Sequence, residues 1–429
     1  MQQRAKWSSE RAFVFSTAAA AVGLGNLWRF PYMAGDNGGA AFIIAYLIAA
    51  VILGFPIMVL EIGVGRAAQG SPVRTFRRYH RLAPLFGWVV VGLTGIILSY
   101  YLVITGWTLG YAARSVTGRL VGFEEFTAGY ISLWLFFVVA IVAAGVLVRG
   151  VEGIEKTTTV LMPVLIVIVI GLAAFGLTQA GAGEAMRFMF SPDFGALASP
   201  SMWLFAFGQA FYSLAVGQGY LITYGSHLPD KVNLPRAAGS VAVIETAIAL
   251  LAGLMIFPMV FTVGLAPDEG SELAFNTLPR VFEVIPGGAV LGAVFFVLFF
   301  LAALSSCIAG LKVVVTAVKE EFALSQARAV VATIVPVVVL GVPSALSFTP
   351  VQLSLAGRPF LEVVDLFAAT QIVVASGIIG GALISWLVPR ERLVEKMGVT
   401  HEGAAWWMIT AARYLPIPVL ILLLVTLVL

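Results

Sequence analysis

Asn26, Arg29 and Pro31 stand inside an otherwise apolar stretch, AAAAVGLGNLWRFPYMAGDNGG over 18–39, which also carries glycines at 23 and 25. A helix built only to anchor a chain in lipid would avoid these residues. Glycine weakens a helix by about 1 kcal/mol and proline by about 3, and a guanidinium at membrane depth is costly. Lipid offers no hydrogen bonds to freed backbone groups, so a helix broken there must line a protein-enclosed cavity. A break at Gly23–Gly25 exposes carbonyls for a cation and amides for an anion, the parts of a site for ions and a small charged molecule. A second interruption lies in GQAFYSLAVGQGYLITYG, residues 208–225, where Gly217 and Gly219 flank Gln218, with Gln209 and Ser213 upstream. Glu245 adds a carboxylate within a further apolar run, and an intramembrane acid is a functional candidate by default.

The elements that must position these groups are membrane helices. The chain has 429 residues, 60% hydrophobic and 11% charged, with a mean hydropathy of +1.00; a soluble protein carries about 25% charged residues. Apolar runs long enough to span a bilayer recur throughout. They predict spans at 10–34, 39–66, 84–114, 127–148, 157–178, 199–227, 237–265, 287–318, 327–347, 359–388 and 407–428. Trp7 and Arg11 lead directly into the first span, so no cleavable signal is expected. The single Cys307 excludes a disulfide framework and a cysteine metal cluster. The net charge of +3 gives no reason to expect nucleic acid. Lysines and arginines concentrate in alternate loops, with only Arg114, Arg119, Arg187, Arg280 and Arg358 on the other side. The positive-inside rule then predicts a cytoplasmic N-terminus and an extracellular C-terminus.

The first and sixth spans correspond if the first ten form two five-helix repeats. Interruptions at matching positions are the best sequence pointer to a transporter's midplane site. Close packing of small residues is the plainer reading; it suits Gly106-x-x-x-Gly110 but gives no reason for Asn26, Arg29 or Gln218. GLGNLWRFPYMAGDNGGAAF and Glu61-Ile-Gly-Val-Gly-Arg66 resemble the first two helices of the neurotransmitter:sodium symporter family. The resemblance runs on through SYYLVITGWTLGY (99–111), GQAFYSLAVGQG (208–219), LAALSSCIAG (301–310) and FLEVVDLF (360–367), over essentially the whole chain. It implies an all-α polytopic membrane protein of about 11 transmembrane helices, a LeuT-type 5+5 inverted repeat with broken helices 1 and 6. Residues 1–429 would form one transporter domain, with repeats at 1–178 and 199–388 and an additional helix 11 at 407–428. The implied activity is sodium-coupled symport of a neutral amino acid into the cell across the inner membrane by alternating access. One chain would suffice, a homodimer being allowed, and no organic cofactor is implied.

The resemblance implies two sodium sites. The first would use Ala21, Asn26, Ser213, a seventh-helix residue and the substrate carboxylate; the second would use Ala19, Val22, Ala302, Ser305 and Ser306. Sodium is a hard cation suited to such oxygens. Glu245 departs from the family pattern. Aligned on the glycine of LLAGLMIF it replaces a sodium-ligating asparagine; slid by a turn it approaches the acid that substitutes for chloride in chloride-independent members. Either way, with Tyr46, Gln209 and Ser213 as neighbours, it predicts chloride-independent transport. The plainer reading places Glu245 at the cytoplasmic end of its helix. The Leu24 and Gly25 amides suit a substrate carboxylate, and Tyr101 is similar to the family tyrosine that also holds it. Gly23 stands where amine carriers place an aspartate, which points to an amino acid. By resemblance the pocket is lined by Ala20, Ile97, Tyr101, Tyr212, Ala215, Gln218, Ser306 and Gly310, and the small residues among these suggest room for a medium or large side chain.

Arg29 and Asp365 resemble an outer gate pair, and Arg4 and Trp7, with Glu320, resemble an inner latch. Gly153 and Pro163 resemble a pattern for unwinding the fifth span, physically inexpensive because proline removes a hydrogen bond. Lys312 sits mid-span without an assigned role. Enzyme chemistry finds little support. His80, His227 and His401 fall singly in loops, Ala405 stands where a zinc-protease motif needs its second histidine, and Trp28 replaces the third glycine of a dinucleotide fingerprint. A channel would not need paired gates around one site. A non-transporting amino-acid sensor of the same fold, or a carrier of another small zwitterion, would share these residues.

Overall fold

The computed structural model describes residues 5–118, 120–267 and 274–421, which form a bundle of long helices with one short hairpin pairing Ser354–Leu355 with Arg358–Pro359. Arg4, Arg119 and the end of the expected eleventh span lie outside the described residues. Nine described helices are long and apolar enough to cross a membrane by length and composition. The first and sixth spans complete the expected architecture. Each is split into halves too short to cross alone: Glu10–Ala21 with Phe30–Asp36, and Pro200–Ser213 with Tyr220–Gly225.

Two starts lie five residues or more from expectation. The fifth span begins at Gly150 rather than 157, and the eleventh at Glu402 rather than 407. Apolarity marks only the part of a helix that crosses lipid, whereas Glu152, Glu155 and Lys156 belong to turns that continue beyond it.

The third span, Ala83–Val116, and the eighth, Gly288–Glu321, have 34 residues each. At 1.5 Å per residue they are about 50 Å long, longer than the hydrocarbon core of about 30 Å, so they tilt or run on beyond it. The third is central, with 83% of its apolar window buried; the fourth, Ile131–Val148, is peripheral at 33% and turns Trp134, Val138 and Ile141 outward. Gly106 lets the two close: a Cβ there would lie 2.9 Å from the Phe136 nitrogen, so the packing reading of these glycines holds.

In the first span the α-helix ends at Ala21, Val22 is extended (φ −74°, ψ 109°), and the chain resumes as a π turn over Gly25–Arg29. In the sixth, residues 214–219 form a turn in which Ala215, Gly217 and Gly219 have φ of 56°, 76° and 75°. Further π turns occur at Ala50–Gly54 and Leu366–Ile372. All three lie in spans packed against the first half of the sixth, Pro200–Ser213, and such turns recur at functional sites.

Candidate functional site

The two breaks lie together against the third and eighth spans. At the first, the Leu24 amide donates to the Tyr101 hydroxyl at 2.8 Å. A Cβ on Gly23 would lie 2.3 Å from Ser306 Oγ and 2.4 Å from Tyr101 Oη, and one on Gly25 would lie 2.8 Å from the Tyr212 ring. Position 23 therefore has no space for an aspartate in this arrangement. An amide and a phenol hydroxyl here form a donor pair suited to a carboxylate.

Oxygens converge beside this pair. Ser305 Oγ donates to the carbonyls of Ala19 and Ala302, each at 2.8 Å. Ser306 Oγ lies 3.2 Å from the Ala20 carbonyl, 3.4 Å from that of Val22 and 3.5 Å from that of Ala302. All the residues expected at the second sodium site thus meet in one buried cluster. On the opposite side Glu245, fully buried, accepts from Asn26 Nδ2 at 2.7 Å, from Tyr46 at 3.3 Å, from Thr246 at 3.1 Å and, by a short contact, from Ser213. Glu245 therefore belongs to the interior of the seventh span, Leu234–Thr262, and not to its cytoplasmic end. Gln209 departs from the expected neighbourhood: its amide nitrogen donates to the Gly25 carbonyl and its oxygen accepts from Arg29, both at 2.8 Å.

Four residues near the breaks carry roles that the sequence did not assign. Glu61 accepts from the Gly217 amide at 3.0 Å, Ser376 donates to the Gly217 carbonyl at 2.6 Å, and Thr94 donates to the Gln218 carbonyl at 2.6 Å. Together they hold the turn that carries Ala215 and Gln218. The fourth is Tyr220, whose hydroxyl lies 2.8 Å from where a Gly310 Cβ would be. The room expected from Gly310 is therefore taken by an aromatic hydroxyl from across the pocket. Ile97 is buried one turn before Tyr101, as expected for a lining residue.

Beyond the first break, the Arg29 guanidinium lies 5.2 Å from the Tyr212 ring centroid, a cation–π contact, and Asp365 is close enough to act on it electrostatically. On the N-terminal side of that break, Trp7 is 2% exposed, donates through Nε1 to the Tyr224 carbonyl at 3.0 Å and packs on the Tyr224 and His227 rings. Glu320 accepts from the Ser71 amide at 2.8 Å. Arg77, outside the spans, pairs with Glu321, and that hydrogen bond holds its guanidinium above the ordinary value. The fifth span is a continuous helix through Gly153 and Pro163, so it is wound in this conformation. A cavity of about 1200 Å³, lined by Ala5, Lys6 and His227 among others, opens at the end that carries the N-terminal segment and reaches Lys312.

Comparison with known proteins agrees with this geometry. A profile of the sodium:neurotransmitter symporter family matches residues 4–130 and 121–429. An uncharacterised sodium-dependent transporter of Bacillus subtilis is 33% identical, the match covering 99% of this chain and 98% of that protein. A similar transporter of Methanocaldococcus jannaschii is 31% identical over 97% of this chain and 89% of its own length. The crystal structure of MhsT in complex with L-phenylalanine superposes with a TM-score of 0.91 at 37% identity, covering 98% of this chain and 99% of that one. From these matches over its whole length, the chain belongs to the sodium:neurotransmitter symporter family of sodium-dependent membrane transporters.

Proposed function

We propose that this transporter carries a neutral amino acid into the cell with two sodium ions by alternating access, without chloride. The carrying observation is the Leu24 amide and Tyr101 hydroxyl, a receptor for a carboxylate, set between two buried oxygen clusters suited to cations. The substrate carboxylate would displace Tyr101 from sole use of that amide and complete the first sodium site beside Ala21, Asn26 and Ser213. Ala19, Val22, Ala302, Ser305 and Ser306 would form the second, their hydroxyls turning from donors to ligands. Glu245 supplies the negative charge that makes a bound chloride unnecessary. Ala20, Ile97, Tyr212, Ala215, Gln218, Ser306, Gly310 and Tyr220 would surround the substrate side chain; none is charged, which favours a neutral side chain. MhsT is known with L-phenylalanine bound, and its likeness supports an amino-acid substrate. The repeats at 1–178 and 199–388 would rock about this site, with Arg29–Asp365 closing outside and Trp7, Arg4 and Glu320 closing inside. Gly153 and Pro163 would loosen the fifth span to let water reach the second sodium. The N-terminus would face the cytoplasm, as the loop charges require.

A thermal-shift screen of the amino acids with and without sodium tests the reading. A ligand at a hundredfold excess over its Kd stabilises the folded state by about 2.7 kcal/mol, so a neutral amino acid should raise Tm only when sodium is present. Purified protein in liposomes should then accumulate that amino acid equally in chloride and in gluconate. Binding without accumulation would identify a sensor, and loss of uptake in gluconate would overturn chloride independence.

A further inference from the structure

The inner cavity is lined by one sign of charge more than the other. Lys6, Arg74, Arg78, Arg149, Lys312 and Lys319 line it, against Glu152 and Glu320 among the described residues; Lys6 pairs with Asp230 at 3.0 Å, and Lys312 too has a partner, so the excess belongs to the basin as a whole and not to one bare charge. The fifth span starts in this wall at Gly150, so the positive end of a long helix adds to the basic side. Lys312 is the deepest of these groups. It is 6% exposed and lies six positions beyond Ser306 on one unbroken helix, a rise of about 9 Å. We propose that this basin is an electrostatic filter on the inward path: it gathers carboxylates and inorganic anions, repels sodium, and lowers sodium affinity in the inward-open state. A cleft of one sign with low-dielectric walls changes local ion concentrations by about ten- to a thousandfold. A unit charge some 10 Å from an ion, at an effective dielectric near 20, changes ion affinity by roughly tenfold. The sodium ions would then leave readily and return poorly, while an amino acid's carboxylate is drawn outward along the same route.

The inference rests on the proposed sodium-coupled uptake and on the basin facing the cytoplasm. Its test uses the full-length protein in vesicles with the N-terminus inside. Two quantities are read: the internal sodium concentration that halves uptake, and the external sodium concentration giving half-maximal uptake. Arg74 and Arg149 are exposed, so the double variant Arg74→Gln/Arg149→Gln keeps the fold, and Lys312→Gln is its buried counterpart. Each should lower the inhibitory internal sodium concentration by about three- to tenfold and leave the external value within about twofold. Lys312→Arg should behave as the parent. Raising internal ionic strength with choline chloride should move the parent toward the variants, because the screening length falls from about 8 Å at 0.15 M to about 3 Å at 1 M. Should Lys312→Gln not fold, the double variant decides the matter alone. Normal uptake with unchanged internal sodium sensitivity, or equal shifts on both sides, overturns the filter; a parent without sodium-driven uptake overturns the transport reading with it.

Discussion

At Gly23 the lack of a single methyl group decides what the site can hold. A Cβ there would meet Ser306 Oγ and Tyr101 Oη, both ends of side chains rather than backbone. The fold can therefore accommodate alanine by turning those hydroxyls away, at the cost of the Tyr101–Leu24 bond. Gly23→Ala should leave the thermal midpoint without ligand within a few degrees while weakening sodium-dependent amino-acid binding by about tenfold or more, the order of one charge-assisted hydrogen bond. Titration by thermal shift checks this, and unchanged affinity would remove Leu24 and Tyr101 from the site. Glu245 makes a second residue-scale case. Its carboxylate gathers Asn26, Ser213, Tyr46 and Thr246, more donors than a packing role requires, and Glu245→Gln keeps its size while removing its charge. The variant's uptake should fall by about tenfold in gluconate and recover in chloride. A variant indifferent to chloride, with parental uptake, would deny Glu245 any part in balancing sodium.

At the scale of elements, the broken sixth span is held by its neighbours rather than by its own sequence. The Gly217 amide is bound by Glu61 and its carbonyl by Ser376. With φ of 76° and Gly377 N only 2.3 Å from a would-be Cβ, the position excludes any side chain. Gly217→Ala should be severely destabilising, since a left-handed non-glycine residue alone costs about 1–2 kcal/mol and the clash is with backbone. Gly145→Ala, with nothing within 4 Å of the added carbon, should be neutral or stabilising by up to about 1 kcal/mol. Comparing the two melting temperatures separates a required glycine from an incidental one. This contrast also marks how far the sequence could be read. The breaks were legible because Gly23, Gly25, Asn26, Gly217 and Gln218 are out of place in apolar runs. Thr94 and Ser376 were not, because a hydroxyl in a membrane helix ordinarily bonds its own backbone and nothing local distinguishes one that reaches across. Tyr220 escaped for a related reason: Gly310 signals space, but what enters that space comes from another helix.

At the scale of the whole molecule, the breaks are buried under contacts on both sides. On one side of the breaks Arg29 donates to Gln209 and lies over the Tyr212 ring; on the other the cavity stops at the segment that carries Trp7. The family resemblance names candidate gate residues, but which side of the bundle is closed depends on packing over the whole molecule, which no local pattern encodes. Trp7 buries nearly all of its surface, bonds the Tyr224 carbonyl and packs on Tyr224 and His227. Its removal should therefore shift the bundle toward the inward-open state more than it unfolds it. The chain supplies its own reporter. Cys307 is the single cysteine, fully buried beside Ser306 and 3.2 Å from Thr105 Oγ1, so it becomes reactive only when the path to the site opens. Trp7→Ala should raise the rate of Cys307 modification by a thiol reagent applied from the N-terminal side by about tenfold, and saturating sodium with substrate should slow it again by favouring the closed form. Trp7→Phe, which keeps the ring contacts but loses the hydrogen bond, should fall between. If the alanine variant melts normally yet labels at the parental rate, Trp7 is a packing residue and the inner closure resides in other contacts.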